Sequence, residues 1–201
     1  MSVITSIIGL QNLTNLTNFQ ADWNGLQSVN LSNLPNLINV DISDQSLSGT
    51  GSKSLTSVNL SGSTAIEELR LDDSDFSAGI PDISNLEALN VLDLDQCSII
   101  GSIDLSSFSS LERIDVNSNS GLTEVIISSS QPIGGDEWEV LFGNCALTQT
   151  AVDNILVALS ENEITNSYVD LSGGDNSAPG TVGLAALAVL DGKGWTYDIN
   201  S

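Results

Sequence analysis

The pattern apolar-x-x-apolar-x-apolar returns along this chain in a fixed register, and few folds accommodate that. One series runs Leu16-Phe19-Ala21, Leu37-Val40-Ile42, Ile66-Leu69-Leu71, Leu89-Leu92-Leu94, Leu111-Ile114-Val116 and Glu137-Val140-Phe142. Its starts step by 21, 29, 23, 22 and 26 residues, the length of one coil in a short-repeat array. Eight residues after each start stands a small polar or thiol side chain: Asn24, Gln45, Ser74, Cys97, Asn119 and Cys145. In a stack of coils that position turns inward and hydrogen-bonds the backbone of its neighbours, so it forms a structural ladder.

A second series lies between members of the first: Leu26-Val29-Leu31, Leu55-Val58-Leu60, Ile80-Ile83, Ile100-Ile103-Leu105 and Leu122-Val125-Ile127. The alternation predicts a short parallel strand on both faces of each coil, joined by Ser/Asn/Gly turns. Leu34, Leu47, Phe76, Leu86 and Phe108 fall between the strand columns and are expected to fill the interior.

The stretches LTSVNLSGSTAIEELRLDDS and LNVLDLDQCSIIGSIDLSSFSSLERIDVNSNS resemble the short leucine-rich repeats of bacterial surface proteins and some bacteriophage proteins. The resemblance covers residues 16–145 and implies a leucine-rich-repeat solenoid, mostly β, of about six coils. It implies little about function, because this architecture hosts many unrelated binding roles. Residues 1–15 are expected to cap one end. Residues 146–201 read as a helix-strand-helix-strand α/β cap. Thr148 is the helix N-cap, Val152, Ile155, Leu156 and Leu159 have helical spacing, and strands are expected at Tyr168–Leu171 and Trp195–Ile199. The ending GLAALAVLDGKGWTYDIN resembles terminal segments of the same phage and bacterial repeat proteins.

Composition narrows the function. Lys and Arg number 4 against 26 Asp and Glu, a formal charge of −22, and there is no His. Nucleic acid and anionic membrane surfaces are poor partners, since both need clustered Lys/Arg. Without His, Ser-His and Cys-His nucleophile pairs and the usual zinc sites are absent. The longest apolar stretch, Val182–Leu190, is too short to span a bilayer. Cys97 and Cys145 stand two coils apart in the same column, beyond disulfide reach, and are expected as buried free thiols.

The outward column of the first series reads Gln20, Asp41, Arg70, Asp93, Asp115, Leu141, and the next reads Asp22, Ser43, Asp72, Asp95, Asn117, Gly143. With rungs about 4.8 Å apart, Asp72, Asp93, Asp95 and Asp115 are expected to crowd one patch, with Arg70 between Asp41 and Asp93. Such a patch suits calcium, a hard cation that takes several oxygens. The competing expectation is a solvated acidic face, and none of these segments matches a calcium-loop motif. Trp23 and Trp138 are interface anchors or packing against the caps. The Asn-Leu-Thr and Asn-Leu-Ser tripeptides at Asn12, Asn15, Asn30 and Asn59 are products of the repeat rather than glycosylation sites.

No catalytic constellation stands out, so a non-enzymatic binding platform is expected. MSVITSIIGLQNLTN has no basic segment or cleavage site and does not read as a signal peptide. Missing export signal and surface-protein composition are reconciled by a bacteriophage virion component, either capsid decoration or tail fibre, contacting other particle proteins or a host surface and multimeric in its assembly. The alternative is a bacterial extracellular adhesin that binds a host protein or glycan. A third class is a glycan depolymerase with Asp93 and Asp115 as its acid and base.

Overall fold

The computed structural model describes residues 3–46, 52–130 and 139–201. It is mostly parallel sheet with two helices, a solenoid-like α/β arrangement, and the chain divides into two compact units, Met1–Ile99 and Ile100–Ser201. The boundaries expected at residues 15 and 145 mark repeat and cap, a different property from compactness.

In the first unit, a 3-10 turn at Leu10–Asn12 is followed by strands β1 (Asn18–Gln20), β2 (Ser28–Asn30), β3 (Asn39–Asp41), β4 (Ser57–Asn59), β5 (Glu68–Arg70) and β6 (Val91–Asp93). Strands β1, β3, β5 and β6 pair in parallel in that order, with Phe19, Val40, Leu69 and Leu92 in register. On the other face β2 pairs with β4, Val29 beside Val58. Each strand is three residues with the central side chain inward, because alternate Cβ atoms point to opposite faces. Leu34, Phe76 and Leu86 are buried, and Leu47 lies outside the described residues. The expected strand at Ile80–Ile83 does not form. Pro81 stands in its middle, and a residue without an N–H cannot donate to a ladder.

The second unit holds β7 (Ile100–Asp104), β8 (Arg113–Asp115), β9 (Gly121–Ile126), β10 (Glu139–Leu141), α1 (Gln149–Glu161), β11 (Tyr168–Leu171), α2 (Thr181–Gly192) and β12 (Thr196–Ile199). Strands β8, β10, β11 and β12 pair in parallel, with Ile114, Val140, Val169 and Tyr197 in register. Strand β7 pairs with β9, with a slip after Gly101. The Thr148 hydroxyl accepts the Ala151 N–H at 3.2 Å and starts α1, whose Val152, Ile155, Leu156 and Leu159 are buried. Helix α2 has no cap of its own. Asp153 of α1 accepts the N–H groups of Gly180 at 2.7 Å and Gly183 at 3.1 Å, placing a carboxylate at the positive end of the helix dipole. A Cβ at Gly183 would collide with that carboxylate, so a larger residue there would displace the cap. Trp195 is buried.

One corner recurs throughout both units. The residue ending a strand is often Asp or Asn, and its carboxylate or amide oxygen accepts the N–H two residues on, an Asx turn. This joins Asn30 to Ser32 (3.1 Å), Asp41 to Ser43 (3.2 Å), Asn59 to Ser61 (3.1 Å), Asp93 to Asp95 (3.2 Å), Asp104 to Ser106 (2.9 Å), Asp115 to Asn117 (3.2 Å) and Asp170 to Ser172 (2.8 Å). The next residue is left-handed in all of these corners but that of Asp104: Trp23, Asn33, Asp44, Asp73, Gln96, Ser118 and Asn144 all have φ between 53 and 59°, and Gly62 takes the same place at 76° and Gly173 at 72°. Asn, Asp and Gly tolerate that region best. The left-handed N–H then donates to the following coil: Asn33 to Ser61 O (2.8 Å), Asp44 to Asp72 O (3.1 Å), Asp73 to Asp95 O (2.9 Å), Ser118 to Gly143 O (2.9 Å) and Asn144 to Ser172 O (2.7 Å).

The ladder residue comes immediately after. Gln45 is fully buried; its amide donates to Ala21 O (2.7 Å) and Ser43 O (2.9 Å) and its oxygen accepts the Leu26 N–H (3.0 Å). Replacing it by Ala would leave the Leu26 N–H without this partner in the interior and would take one donor each from Ala21 O, which Asn24 also reaches, and Ser43 O, which the Trp23 N–H also reaches. We expect Gln45→Ala to cost about 2–4 kcal/mol in urea unfolding. Asn59→Ala, which loses only the exposed turn bonds from the Ser61 N–H and hydroxyl, should cost about 0.5–1 kcal/mol; equal costs would contradict the ranking.

Candidate functional site

The acidic group of the first unit is built on the corners of β3, β5 and β6. Asp41, Arg70 and Asp93 end their strands in adjacent register positions, Asp41 beside Arg70 and Arg70 beside Asp93. Asp72 and Asp95 follow two residues later, and Asp44 and Asp73 occupy the left-handed positions. Arg70 reaches Glu68 at 3.8 Å and Asp93 at 4.0 Å, long contacts that relieve the repulsion only partly. Lys53 pairs with Asp73 at 3.5 Å and donates to the Gln96 carbonyl.

Burial and the charges of Asp93, Asp44 and Asp41 push the Asp72 carboxyl up to about 7. Asp44 is raised as well, by burial and then by Asp73, Asp22 and Asp41. Asp41 and Asp93 are committed to their own turns, and the Asp41 carboxylate also accepts the Ser43 hydroxyl at 2.6 Å. Asp95 accepts from the Gln96 amide through Oδ2 at 3.0 Å, while its Oδ1 is buried without a hydrogen-bond partner among the described residues. Asp115 belongs to the second unit, where it holds the Asn117 turn.

Among the described residues, no three Cys, Asp or Glu side chains form a group that could hold a metal ion. Ladder residues keep to the backbone. Asn24 donates to Ala21 O and Asp22 O and accepts the Ile4 N–H at 3.0 Å; Asn119 donates to Val116 O and Asn117 O. Cys97 and Cys145 are buried free thiols whose Sγ atoms point at Leu71 O (3.2 Å) and Val116 O (3.4 Å). Burial raises the Cys97 thiol far above its ordinary range, which disfavours the thiolate. Ser74 is buried and its hydroxyl has no hydrogen-bond partner among the described residues. Trp23 is 72% exposed and stands in the left-handed position of its corner; Trp138 lies outside the described residues.

Two ladder residues escaped the sequence reading. Ser63 of the second series accepts the Leu34 N–H at 2.9 Å and donates to Leu31 O at 2.6 Å. Asn176 donates to Phe142 O (2.9 Å) and Leu171 O (3.0 Å) and accepts the Leu147 N–H (2.9 Å). Ser63 sits five residues after Val58, as Gln45 does after Val40, and that offset was the available signal. In the second unit a groove of about 390 Å³ runs along β9 and α1, lined by Val125, Ile126, Val157 and Ala158 with Glu124 and Glu161. No protein-family model matches the chain, and no curated protein sequence matches it.

The raised Asp72 pKa has a definite sign. Between about 4 and 7 the folded protein holds a proton that the unfolded chain has released, so stability rises as the pH falls through about 7. Asp72→Asn should therefore stabilise the protein at pH 8 by about 1–2 kcal/mol, with the gain shrinking toward pH 4. A variant no more stable than the parent at pH 8 would contradict this. The turn-forming roles of Asp41 and Asp93 also predict an unchanged Tm when EDTA replaces about 1 mM calcium. A drop of several degrees would show a cation held at the Asp95 oxygen.

Proposed function

We propose that this is a non-enzymatic structural and binding protein of the leucine-rich-repeat class, working as a component of a bacteriophage particle. Its partners on this reading are other proteins of the particle or a protein or glycan of the host surface. The observation that carries the platform reading is the use made of the outward polar side chains. Asp41, Asn59, Asp93, Asp104, Asp115 and Asp170 each hold the turn that follows their own strand. Carboxylates fixed in this way make a rigid, repetitive surface rather than an acid-base pair, whose two members need environments that drive their pKa values apart. Asp93 and Asp115, the pair a glycan depolymerase would use, have the same turn-forming role.

The particle setting rests on composition and on the resemblance of the repeat stretches. A chain of −22 with 4 basic residues repels nucleic acid and anionic membranes and leaves protein or neutral-glycan surfaces as partners. The test is fractionation of the native source with mass spectrometry of each fraction. Recovery in purified virus particles at a fixed ratio to the major capsid protein is expected. Recovery on bacterial cells or in particle-free supernatant would overturn the particle reading in favour of an adhesin. Release of reducing ends from a host polysaccharide that is lost in Asp93→Asn would overturn the non-enzymatic reading.

A further inference from the structure

One peptide link in this chain joins two groups that react with each other. Asn24–Gly25 is the only Asn-Gly pair in the sequence. A glycine nitrogen reaches the preceding side-chain carbon with no Cβ in the way, which makes Asn-Gly especially prone to close on itself and lose ammonia. In the structure a single residue holds both reacting groups. The Ile4 N–H donates to Asn24 Oδ1 at 3.0 Å, and the Gly25 N–H donates to Ile4 O at 2.9 Å. The Asn24 amide also donates to Ala21 O at 3.1 Å and Asp22 O at 2.9 Å. The side-chain carbon that would be attacked is tied down, and the attacking nitrogen is occupied.

The two sides of this restraint differ in strength. The corner itself is fixed to the next coil, because the Trp23 N–H donates to Ser43 O at 3.3 Å and Asn24 O accepts the Ser46 N–H at 2.8 Å. Leu26, next after Gly25, is fully buried, and its N–H is held by Gln45 Oε1 at 3.0 Å. Ile4 is 51% exposed and lies within residues 3–8, which form no helix or strand. Segments with few buried contacts open at a free energy well below that of the whole fold. Ile4 therefore detaches while Asn24, Gly25 and the coil behind them stay in place.

We infer that Asn24–Gly25 is a self-modification site, kept intact by Ile4 and converted when Ile4 detaches. The Gly25 nitrogen gives up its proton and bonds to Asn24 Cγ. The Cγ–Nδ2 bond breaks, and Nδ2 leaves with that proton as ammonia. Water then opens the resulting succinimide at one of its two carbonyls, leaving aspartate or isoaspartate. Nothing is oxidised or reduced, and water is the only co-reactant. Either product disables the latch. A carboxylate has no proton to donate to Ala21 O or Asp22 O, and it adds a negative charge beside Asp22. Isoaspartate also routes the main chain through the former side-chain carbon, which shifts the Gly25 nitrogen away from Ile4 O. The modified fraction therefore grows with the time that residues 3–8 spend detached, and the modified molecule stays open. This inference is independent of the particle reading.

Incubation of the folded full chain at mildly alkaline pH, with each asparagine followed by peptide mapping and mass spectrometry, tests this. Asn119 is the internal control, because it holds the same ladder position, donates to Val116 O and Asn117 O, and is followed by Ser. Ile4→Pro removes the N–H that holds Asn24 Oδ1. It should speed conversion at Asn24 by at least about fivefold, the equivalent of one lost hydrogen bond, with Asn119 unchanged. An unchanged rate at Asn24 overturns the proposal. If conversion rises at Asn119 too, the variant has lost its fold, and amide exchange on the wild type decides instead. There the Gly25 N–H should exchange at least about tenfold faster than the Leu26 N–H, through local release of Ile4. Equal rates at the two amides overturn the proposal. Asn24→Asp, the chemical equivalent of one product, should raise Gly25 exchange above the wild-type rate. An unchanged rate there overturns the claim that conversion keeps the latch open.

Discussion

Everything in this protein depends on turning sharp corners on both faces of its coils without leaving backbone polar groups unpaired in the interior. The corner works through three positions in sequence. An Asx side chain at the strand end holds the turn, a left-handed residue reverses the chain and donates to the next coil, and an inward polar or thiol side chain collects the remaining carbonyls. Asp41, Asp44 and Gln45 show the set in full, and Asn59, Gly62 and Ser63 repeat it on the opposite face. Strands of three residues suffice because the corners carry hydrogen bonds between coils as well.

The same requirement explains much of the acidic character. Asp serves at the strand end as an acceptor for a backbone N–H and in the left-handed position as a tolerated residue, so a repeat built on this corner accumulates carboxylates. Coils stacked in register then bring them close together, and Asp72 shows the electrostatic cost in its raised pKa. Trp23 is the exception at the left-handed position, a bulky side chain where the other coils use Asp, Asn, Gln, Ser or Gly. Its side chain is exposed beside the uncharged N-terminal stretch.

Strand centres were legible in the sequence because an inward residue in a three-residue strand must be apolar, and Val40, Leu69, Leu92, Ile114 and Val140 all are. Helix α1 was legible from its N-cap and spacing. Pro81 was overlooked in the Ile80–Ile83 segment, where a missing N–H outweighed two apolar residues. Asn176 was hidden by the Gly173-Gly174 pair, which sets it seven residues after Val169 instead of five; both glycines are left-handed. The carboxylates were the hardest to read. A column of Asp looks alike whether it gathers a cation or holds turns, and only the recurrence of Asp or Asn two residues before Ser, as in Asp41-Ile42-Ser43 and Asp104-Leu105-Ser106, points to turns. The same recurrence stands in the sequence as Asn-Leu-Ser at Asn30 and Asn59.

Amide hydrogen exchange resolved by NMR tests the corner most directly. If the left-handed residues join successive coils, the amides of Asp44, Asp73, Ser118 and Asn144 will exchange as slowly as those at the centres of β3, β5 and β10, through opening of the fold rather than local fraying. Exchange at those four amides at the rate of a solvated loop, with the strand centres still protected, would show that the corners are passive connections and that the strands alone hold the stack together.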